Sequence, residues 1–519
     1  MSLLRSLTTL IASLVLATVP ASAFEQSVDE APGRGFVILQ IDALSEPALL
    51  AALDAGHMPF VSDLLGAGSH TLGRWVALAP TSTPAAQVGI LHGDDSDVPG
   101  FRWWDRDLGR LVNFHDPDDA LRTELDASGR HDLLHGGASI ANMFSGGATG
   151  TNLTVSRLGD GLVGGDVWPL LTNPIIVTRG LVGFIDVLSA VAVPVLRGRS
   201  PLVGARVDGA RRVMGVVRAI DSALDDVTAQ IVLAEIRHGT PIIYANLVAY
   251  GALSGNAGAE HELSTEALER ADAVVRAVAA AAEEAPREYH LIILSDHGQT
   301  AGAPFESRYG MSLHELVSSL MSEPSEADTT LHRVGDTPEL VVAPSGNLAN
   351  VSLPIHDHRL SAEEIKTLHP DLLAGLAAHP GIGFVLVMGD RDGLLAIGPA
   401  GTHYLDQGRI EGVDPLAPFG PHAAANLRRL GSFRNVGDIL VNSMYDSEAD
   451  EVASFESRVA SHGGLGGPQT RAFIIYPTRL EEGGGPLSLV GAVSVNAKLR
   501  EWRDEAARLG TDANCFASR

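Results

Sequence analysis

The apolar positions of this chain fall into two patterns that alternate from residue 35 onward. Residues 36–41, 241–248 and 290–295 are nearly unbroken apolar runs, a pattern typical of parallel strands that are buried on both faces. Residues 46–55 and 264–281 instead carry apolar side chains at helical spacing. Apolar strands that alternate with amphipathic helices predict an α/β fold built on a mostly parallel sheet.

A further strand, turn and helix are predicted over residues 70–93. Residues 70–78 have the pattern of a short strand, and residues 85–91 that of a helix of small side chains, which Gly93 ends. In the turn between them, we place Thr83 at the N-cap of the helix and Pro84 at its first position. Each of these residue types is preferred at that position.

Two long stretches, residues 94–239 and 301–429, interrupt this alternation. Both are irregular, and we interpret them as insertions that cap the carboxyl edge of the sheet. The apolar segment 180–196 carries Asp186 and is shorter than the roughly 20 residues that cross a bilayer, so a buried or surface helix is favoured over a membrane span. The predicted fold is a three-layer α/β/α sandwich over residues 24–519.

The N-terminal 23 residues have a different pattern. Arg5 precedes the apolar run 10–17, and the small residues Ala21-Ser22-Ala23 follow. A basic start, a short apolar stretch and a small-x-small site are the features of a signal peptide. We therefore expect cleavage after Ala23 and export to the cell envelope or the medium, with no membrane span left in the mature chain. An uncleaved anchor helix is the alternative.

The negative net charge of the chain limits which molecules it is expected to bind. Sixty-three Asp and Glu against 37 Lys and Arg give a formal net charge of -26, which repels nucleic-acid backbones and anionic lipid surfaces. A nucleic-acid polymer is therefore not an expected partner. A small phosphate ester can still bind where a metal ion supplies positive charge. The single cysteine, Cys515, excludes an intrachain disulfide and argues against redox chemistry.

Residues that bind metals follow the predicted strands. Asp42 comes directly after the first strand, Asp296 and His297 follow the strand 290–295, and His462 lies in a glycine-rich loop. In an open α/β sheet, the carboxyl ends of the strands meet at one crevice. Carboxylate and imidazole together suit Zn²⁺, with Mn²⁺ or iron as alternatives. The sequence therefore predicts a divalent metal site at this edge.

Taken together, these motifs resemble the type I phosphodiesterase/nucleotide pyrophosphatase family of the alkaline-phosphatase superfamily. The similar segments are residues 38–44, the turn 80–83 that precedes Gly93, and residues 294–298, while residues 461–464 look like the late histidine loop of that family. The resemblance implies an alkaline-phosphatase-like hydrolase of phosphate mono- or diesters, with a small phosphate ester as its substrate.

The resemblance also implies roles for individual residues. Asp42, Asp296 and His297 would hold one metal ion, Thr83 would lie against it as the nucleophile that forms a phosphothreonine intermediate, and His462 would belong to a second metal site. A hydroxyl is a poor nucleophile at neutral pH unless its pKa is lowered, and metal coordination is one way to lower it. Thr81 and Ser82 are the competing hydroxyls, and the spacing to Gly93 favours Thr83.

The sequence departs from the family at the second metal site. Family members usually place an Asp, and a His four residues later, after the strand that corresponds to residues 241–248, and here those positions are Gly251 and Gly255. Glu260 and His261 could replace them, but residues of these types before a helix are usually exposed. We expect one firmly bound ion, because a zinc site needs about three protein ligands.

Two further points bear on function. Arg102 could bind a phosphate oxygen, and Trp103 and Trp104 could stack on a base, although core packing is the favoured interpretation of the tryptophan pair.

The incomplete second site also allows a catalytically weakened member of the family. Export together with the apolar segment 180–196 would allow an envelope phosphoglycerol or phosphoethanolamine transferase.

Overall fold

The computed structural model describes residues 33–129, 131–160, 208–321, 333–334, 337–481 and 483–517. The predicted signal peptide, residues 1–23, and the apolar segment 180–196 lie outside these residues. Among the described residues, no single helix is long and apolar enough to cross a membrane; one helix pair, Glu46–Asp54 with Pro59–Gly66, passes on length and composition but bends by 95°.

The described residues contain strands that we number in chain order. They are β1 (Gly35–Ile41), β2 (His70–Val76), β3 (Arg102–Asp105), β4 (Arg110–Asn113), β5 (Ala138–Ile140), β6 (Gly150–Asn152), β7 (Ile242–Leu247), β8 (Tyr289–Leu294), β9 (Thr300–Ala301), β10 (Arg333–Val334), β11 (Thr337–Pro338), β12 (Val341–Ser345), β13 (Leu348–Ser352), β14 (Ile382–Gly389), β15 (Gly393–Gly398), β16 (Gly401–Tyr404), β17 (Arg409–Gly412), β18 (Ile439–Ser443), β19 (Tyr445–Asp446), β20 (Glu451–Val452), β21 (Ala460–Ser461), β22 (Arg471–Pro477) and β23 (Ser488–Val490).

The helices of the same residues are numbered in the same way. They are α1 (Glu46–Asp54), α2 (Pro59–Gly66), α3 (Thr83–His92), α4 (Pro117–Ala127), α5 (Asp208–His238), α6 (Ala249–Ala257), α7 (Glu262–Glu283), α8 (Phe305–Tyr309), α9 (Leu313–Leu320), α10 (Ala362–Leu368), α11 (Leu372–Ala378), α12 (Ala423–Gly431) and α13 (Ala492–Ala517).

The central sheet has eight strands in the order β23-β2-β22-β8-β1-β7-β5-β6. Strand β1 lies in the middle and pairs in parallel with β7 and β8, and β7 continues in parallel to β5. Strand β22 is antiparallel to both of its neighbours. The mostly parallel α/β architecture predicted from the sequence is confirmed.

Both faces of this sheet are covered, which is why its strands read as unbroken apolar runs. Alternate residues of β1 belong to two hydrophobic cores, one on each face of the sheet. Phe36 and Ile38 pack against α3 and α13 in the first core. Val37 and Leu39 pack against α1, α2 and α7 in the second core. The sheet is therefore the middle of three layers, and its carboxyl edge is where ligands bind in open α/β sheets.

The two stretches interpreted as insertions differ from each other. Strands β5 and β6, which belong to the first stretch, join the central sheet; their sequences, Ala138-Ser139-Ile140 and Gly150-Thr151-Asn152, are too short and too polar to give an apolar run. The second stretch contributes most of a separate seven-stranded sheet, in the order β12-β13-β18-β14-β15-β16-β17, with a core of its own. Strand β18 joins this sheet from beyond residue 429.

Candidate active site

The topology of the sheet brings two carboxylates together. Asp42 follows β1 directly and Asp296 follows β8 by one residue, and these two strands are parallel neighbours. One ligand atom each of Asp42, Asp296 and His297 lies within 4.8 Å of the others. Ala43, at φ 55°, turns the chain sharply after Asp42, and its N–H donates to Oδ1 of Asp296 at 3.0 Å. The two strand ends are thus hydrogen-bonded to each other.

His297 is oriented with one ring nitrogen toward this cluster. Its Nδ1 lies 2.9 Å from the carbonyl oxygen of Gly298, so Nδ1 carries the proton and donates to that oxygen. The lone pair of Nε2 then points at the carboxylates, 3.4 Å from Oδ2 of Asp296. A backbone acceptor that fixes the tautomer in this way is the usual support of a metal-binding histidine.

The charges of the cluster fit a divalent cation. Burial, and next the nearby Asp296 carboxylate, raise the pKa of Asp42 well above its usual range. Oδ2 of Asp296 is buried, and no group of the described residues donates a hydrogen bond to it. A positive ion between the two carboxylates would satisfy that oxygen and offset their repulsion. Asp42, Asp296 and His297 therefore suit a metal ion by ligand type and by charge.

Thr83 lies beside this cluster at the start of α3. Its Oγ1 donates a hydrogen bond to Oδ1 of Asp42 at 2.9 Å and lies 3.4 Å from Nε2 of His297. The predicted N-cap position is wrong by one residue: Ser82, with extended backbone at φ -137° and ψ 150°, is the N-cap, and Thr83 is the first residue of the helix. The hydroxyl of Thr83 is consequently free of a capping role and faces the carboxylate.

The two competing hydroxyls are placed differently. Thr81 is buried, and its Oγ1 donates to the carbonyl oxygen of Gly464 at 3.0 Å and accepts from the N–H of Gly463 at 2.7 Å. It thereby joins the turn before α3 to the late glycine-rich loop. The Oγ of Ser82 is buried without a hydrogen-bond partner among the described residues. Of the three hydroxyls, the one that contacts the carboxylate cluster is that of Thr83.

The structure also brings His462 to the site. Its ring stacks on that of His297, with 4.3 Å between ring centroids, and its Nδ1 lies 2.9 Å from the carbonyl oxygen of Thr81. Burial first, and then the charges of His297 and Arg458, hold the pKa of His462 well below its usual range. His462 is thus neutral at neutral pH, with the lone pair of Nε2 available to a ligand.

Gly251 and Gly255 occupy one face of α6, next to this cluster. A Cβ at Gly251 would lie 1.9 Å from Oδ2 of Asp42, so an aspartate there would force that carboxylate to move. The possible replacements, Glu260 and His261, are exposed, and the His261 side chain accepts a hydrogen bond at the start of α7. The expectation that this pair is exposed is confirmed.

A cavity of about 210 Å³ opens onto Thr83 and Asp42, and both irregular stretches line it. Phe101, Arg102 and His115 come from the first stretch, and Ser345 and Gly346 from the second. Trp103 and Trp104 are only 3% and 8% exposed, and Trp103 packs in the core under α3, so core packing is confirmed for that residue pair.

Arg102 does face the cavity, but another side chain neutralises it. Its Nη2 lies 2.9 Å from Oε1 of Glu456, which also lines the cavity. Sequence reasoning missed Glu456 and the nearby Arg458, because neither lies in a motif or at the end of an apolar strand. Their proximity to the glycine-rich loop around His462 was the available signal.

Comparison with known proteins identifies the family to which this chain belongs. Residues 36–410 match the family described as type I phosphodiesterase / nucleotide pyrophosphatase. No curated protein matches the sequence.

The solved structures that match this chain include a phosphonoacetate hydrolase from Sinorhizobium meliloti 1021 in complex with phosphonoformate, at 13% identity and a TM-score of 0.47, covering 92% of this chain and 96% of that one. Murine ectonucleotide pyrophosphatase / phosphodiesterase 5, in an inactive form with AMP, is 10% identical with a TM-score of 0.46, covering 91% and 95% of the two chains.

Proposed function

The chain belongs to the type I phosphodiesterase/nucleotide pyrophosphatase family, whose members are metal-dependent phosphoester hydrolases, and from this premise we propose that it hydrolyses phosphate mono- or diesters with Thr83 as the nucleophile. The observation that carries the proposal is the hydrogen bond of 2.9 Å from the Thr83 hydroxyl to Asp42, within the carboxylate and imidazole cluster.

Asp42, Asp296 and His297 would hold the metal ion. When bound there, the ion supplies positive charge that lowers the pKa of a neighbouring hydroxyl and stabilises the negative charge of a phosphoryl group. We propose Zn²⁺, with Mn²⁺ as the alternative, because two carboxylates and an imidazole suit both. One firmly bound ion is expected, because Gly251 and Gly255 carry no ligand atoms and leave His462 as one protein ligand where a zinc site needs about three.

The residues of this chain would act in two steps. Oγ1 of Thr83 releases its proton to solvent and attacks the phosphorus atom, the ester P–O bond breaks, and the departing alkoxide takes a proton from solvent to leave as the alcohol. A water molecule then attacks the phosphorus of phosphothreonine and releases a proton to solvent, the P–Oγ1 bond breaks, and Oγ1 of Thr83 takes up a proton. Asp42 orients the hydroxyl for the first step by accepting its hydrogen bond, and the positive end of the α3 dipole would stabilise the negative charge of the phosphoryl oxygens.

A second candidate is a catalytically weakened member of the family that binds phosphate esters without efficient turnover. Gly251 and Gly255 favour it, because they leave His462 as a lone ligand near a second metal position. The proposed envelope transferase relies on segment 180–196, which is outside the described residues. Export itself remains a prediction from the N-terminal sequence.

Turnover with and without metal ion tests the proposal. The purified protein is dialysed against a chelator and assayed with p-nitrophenyl phosphate and bis-p-nitrophenyl phosphate before and after Zn²⁺ or Mn²⁺ is restored. We expect activity to disappear and return, and elemental analysis to find about one ion per chain. Activity that survives complete removal of metal ions would contradict the proposal, and two firmly bound ions would contradict the one-ion site.

A matched pair of variants separates the metal cluster from the rest of the fold. Asp42→Asn removes a proposed ligand, whereas Asp272→Asn changes a buried carboxylate that instead accepts hydrogen bonds from the N–H groups of Phe60 and Val61 at the start of α2. We expect the first variant to lose bound metal and turnover and the second to keep both. Equal losses in the two variants would show that activity follows general stability and not the cluster.

A further inference from the structure

Arg458 is a half-buried arginine in the wall of the active-site cavity. It lines the same cavity as Thr83 and Asp42. Its backbone is held in place, with its N–H donating to the carbonyl oxygen of Glu456 at 2.8 Å. Among the described residues, however, no side chain or carbonyl group forms a hydrogen bond or ion pair with the guanidinium. Its donors therefore remain available to a ligand.

The charges of the cavity wall leave Arg458 as the free cation. Arg102, the other arginine that lines this cavity, is paired with Glu456 at 2.9 Å. Glu456 also accepts from the N–H of Gly346 at 3.1 Å, so both of its oxygens are occupied. An anion that enters the cavity can therefore pair with Arg458, whereas the charge of Arg102 is already neutralised by Glu456. Charge-assisted hydrogen bonds of this kind are about twice as strong as neutral ones.

Helix α6 sets the distance between this charge and the carboxylate cluster. Gly251 faces Asp42, and a Cβ at Gly255 would lie 3.1 Å from Nη1 of Arg458. The two glycines are four residues apart on one face of the helix, a separation of about 6 Å along its axis. Because neither glycine carries a side chain, the Asp42 carboxylate and the Arg458 guanidinium can both approach this face of the helix, and both line the cavity that opens onto Thr83.

The positive charge of Arg458 affects the pKa values of residues at the proposed metal site. Its charge is among the causes that lower the pKa of His462, after burial and the charge of His297. It also acts to lower the raised pKa of Asp42, and it lowers the pKa of His115, which lines the same cavity, after burial and the charge of Arg102. The guanidinium is therefore electrostatically coupled to the proposed metal cluster and to the cavity.

We propose that Arg458 binds a non-bridging oxygen of the substrate phosphoryl group and supplies, as a guanidinium, the positive charge opposite the single metal ion. This inference deepens the proposed function and rests on it. It explains how a chain with Gly251 and Gly255 can neutralise a bound phosphate without a second ion. Arginine suits the role because its planar fork can donate two hydrogen bonds to one anion.

Binding of inorganic phosphate to the metal-loaded protein tests the proposal without requiring turnover. Equilibrium dialysis with labelled phosphate compares wild type with Arg458→Met, Arg458→Lys and the control Arg409→Met, which changes an exposed arginine of β17 that pairs with Glu411. We expect Arg458→Met to weaken phosphate binding at least about tenfold, Arg458→Lys to weaken it less, and the control to match wild type. Elemental analysis should find the same metal content in all four proteins.

The outcomes separate this inference from the proposed function. Phosphate affinity of Arg458→Met within about twofold of wild type, at equal metal content, would overturn the role of Arg458 even if esters are hydrolysed. A tenfold loss of phosphate binding would support it even if wild type hydrolyses no ester, in which case the proposed hydrolase function fails alone. Where turnover is measurable, the KM for p-nitrophenyl phosphate should rise in Arg458→Met, and a change in unfolding temperature alone would count against the proposal.

Discussion

Replacing Asp42 with asparagine should stabilise the metal-free protein while abolishing metal binding. Ligand atoms of Asp42 and Asp296 lie within 4.8 Å of each other, and two full charges at that separation repel by about 3 kcal/mol at an effective dielectric constant of 20. Asparagine removes one of the charges. It keeps an oxygen in the position of Oδ1, which accepts the hydrogen bond of 2.9 Å from Thr83. Little packing is lost, because the two side chains have nearly the same shape.

The gain in stability should depend on pH with a definite sign. Burial and Asp296 raise the pKa of Asp42 in the folded protein above its ordinary value of 3.8. A carboxyl group whose pKa is raised by folding destabilises the folded state only when it is ionised. The difference between variant and wild type should therefore be absent below the ordinary value, grow as the pH rises toward the folded pKa, and level off above it.

A divalent ion should reverse the order of stability. Wild type at a free ion concentration a thousandfold above its dissociation constant gains about 4.1 kcal/mol, which exceeds the repulsion of about 3 kcal/mol, because the ion binds the folded state alone. Asp42→Asn lacks one of the proposed ligands and should gain much less. Asp42→Asn should therefore be more stable than wild type in chelator and less stable than wild type in Zn²⁺. Such a trade-off is expected where residues of a functional site lower the stability of the fold.

Denaturant unfolding at pH 5 and pH 8.5, in EDTA and in excess Zn²⁺, measures these differences. Asp272→Asn is the control, since it weakens two hydrogen bonds to the start of α2 and should cost about 1 to 2 kcal/mol under all conditions. The reasoning is refuted if Asp42→Asn is less stable than wild type in EDTA at pH 8.5, or if Zn²⁺ stabilises both proteins equally.

Three further predictions concern the nucleophile, a buried charge network and the N-terminus. Thr83→Ala should lower kcat at least about a thousandfold at unchanged metal content, while Thr83→Ser keeps measurable turnover; wild-type rates in Thr83→Ala would exclude this nucleophile. Although burial opposes it, hydrogen bonds from His92 and Ser145 lower the pKa of Glu124 from 4.5 to about 2. Glu124→Gln should therefore cost about 3 kcal/mol at pH 7 and much less near pH 2, as denaturant unfolding would show. N-terminal sequencing of exported protein should begin at Phe24, and recovery of intact chain in membranes would indicate an anchor instead.

The central sheet was predictable from the sequence because burial on both faces leaves a clear pattern. Strands β1, β7 and β8 are nearly continuous apolar runs, and each was predicted close to its observed bounds. Strands β5 and β6 have three residues each and polar side chains, so no periodicity distinguishes them from loops. Strand β5 is placed by pairing with β7 and β6 by pairing with β5, and the first of these is a contact between segments far apart in the chain.

The part of the candidate site that could be predicted consists of residues that directly follow the strands of the sheet. Asp42 and Asp296 come after adjacent parallel strands, so topology alone brings them together. Thr83 was predicted near them but one position too early in its helix, because local preference does not distinguish Ser82 from Thr83 as the N-cap. Arg458 was not predicted, and its proximity to the loop around His462 was the one signal for it. It lies in the cavity because β21 pairs with β9 and its loop contacts α6, and no local pattern marks either contact.

The covalent role of Thr83 is tested most directly by locating the phosphoryl group after a single turnover. Metal-loaded protein in excess over a phosphate monoester is quenched in acid at a series of times, digested with trypsin, and the peptide between Arg74 and Arg102 is sequenced by mass spectrometry. This peptide contains Thr81, Ser82 and Thr83. We predict phosphate on Thr83 at early times and none in the Thr83→Ala protein. Phosphate on Thr81 or Ser82, or hydrolysis with no phosphorylated peptide at any time, would contradict the assignment.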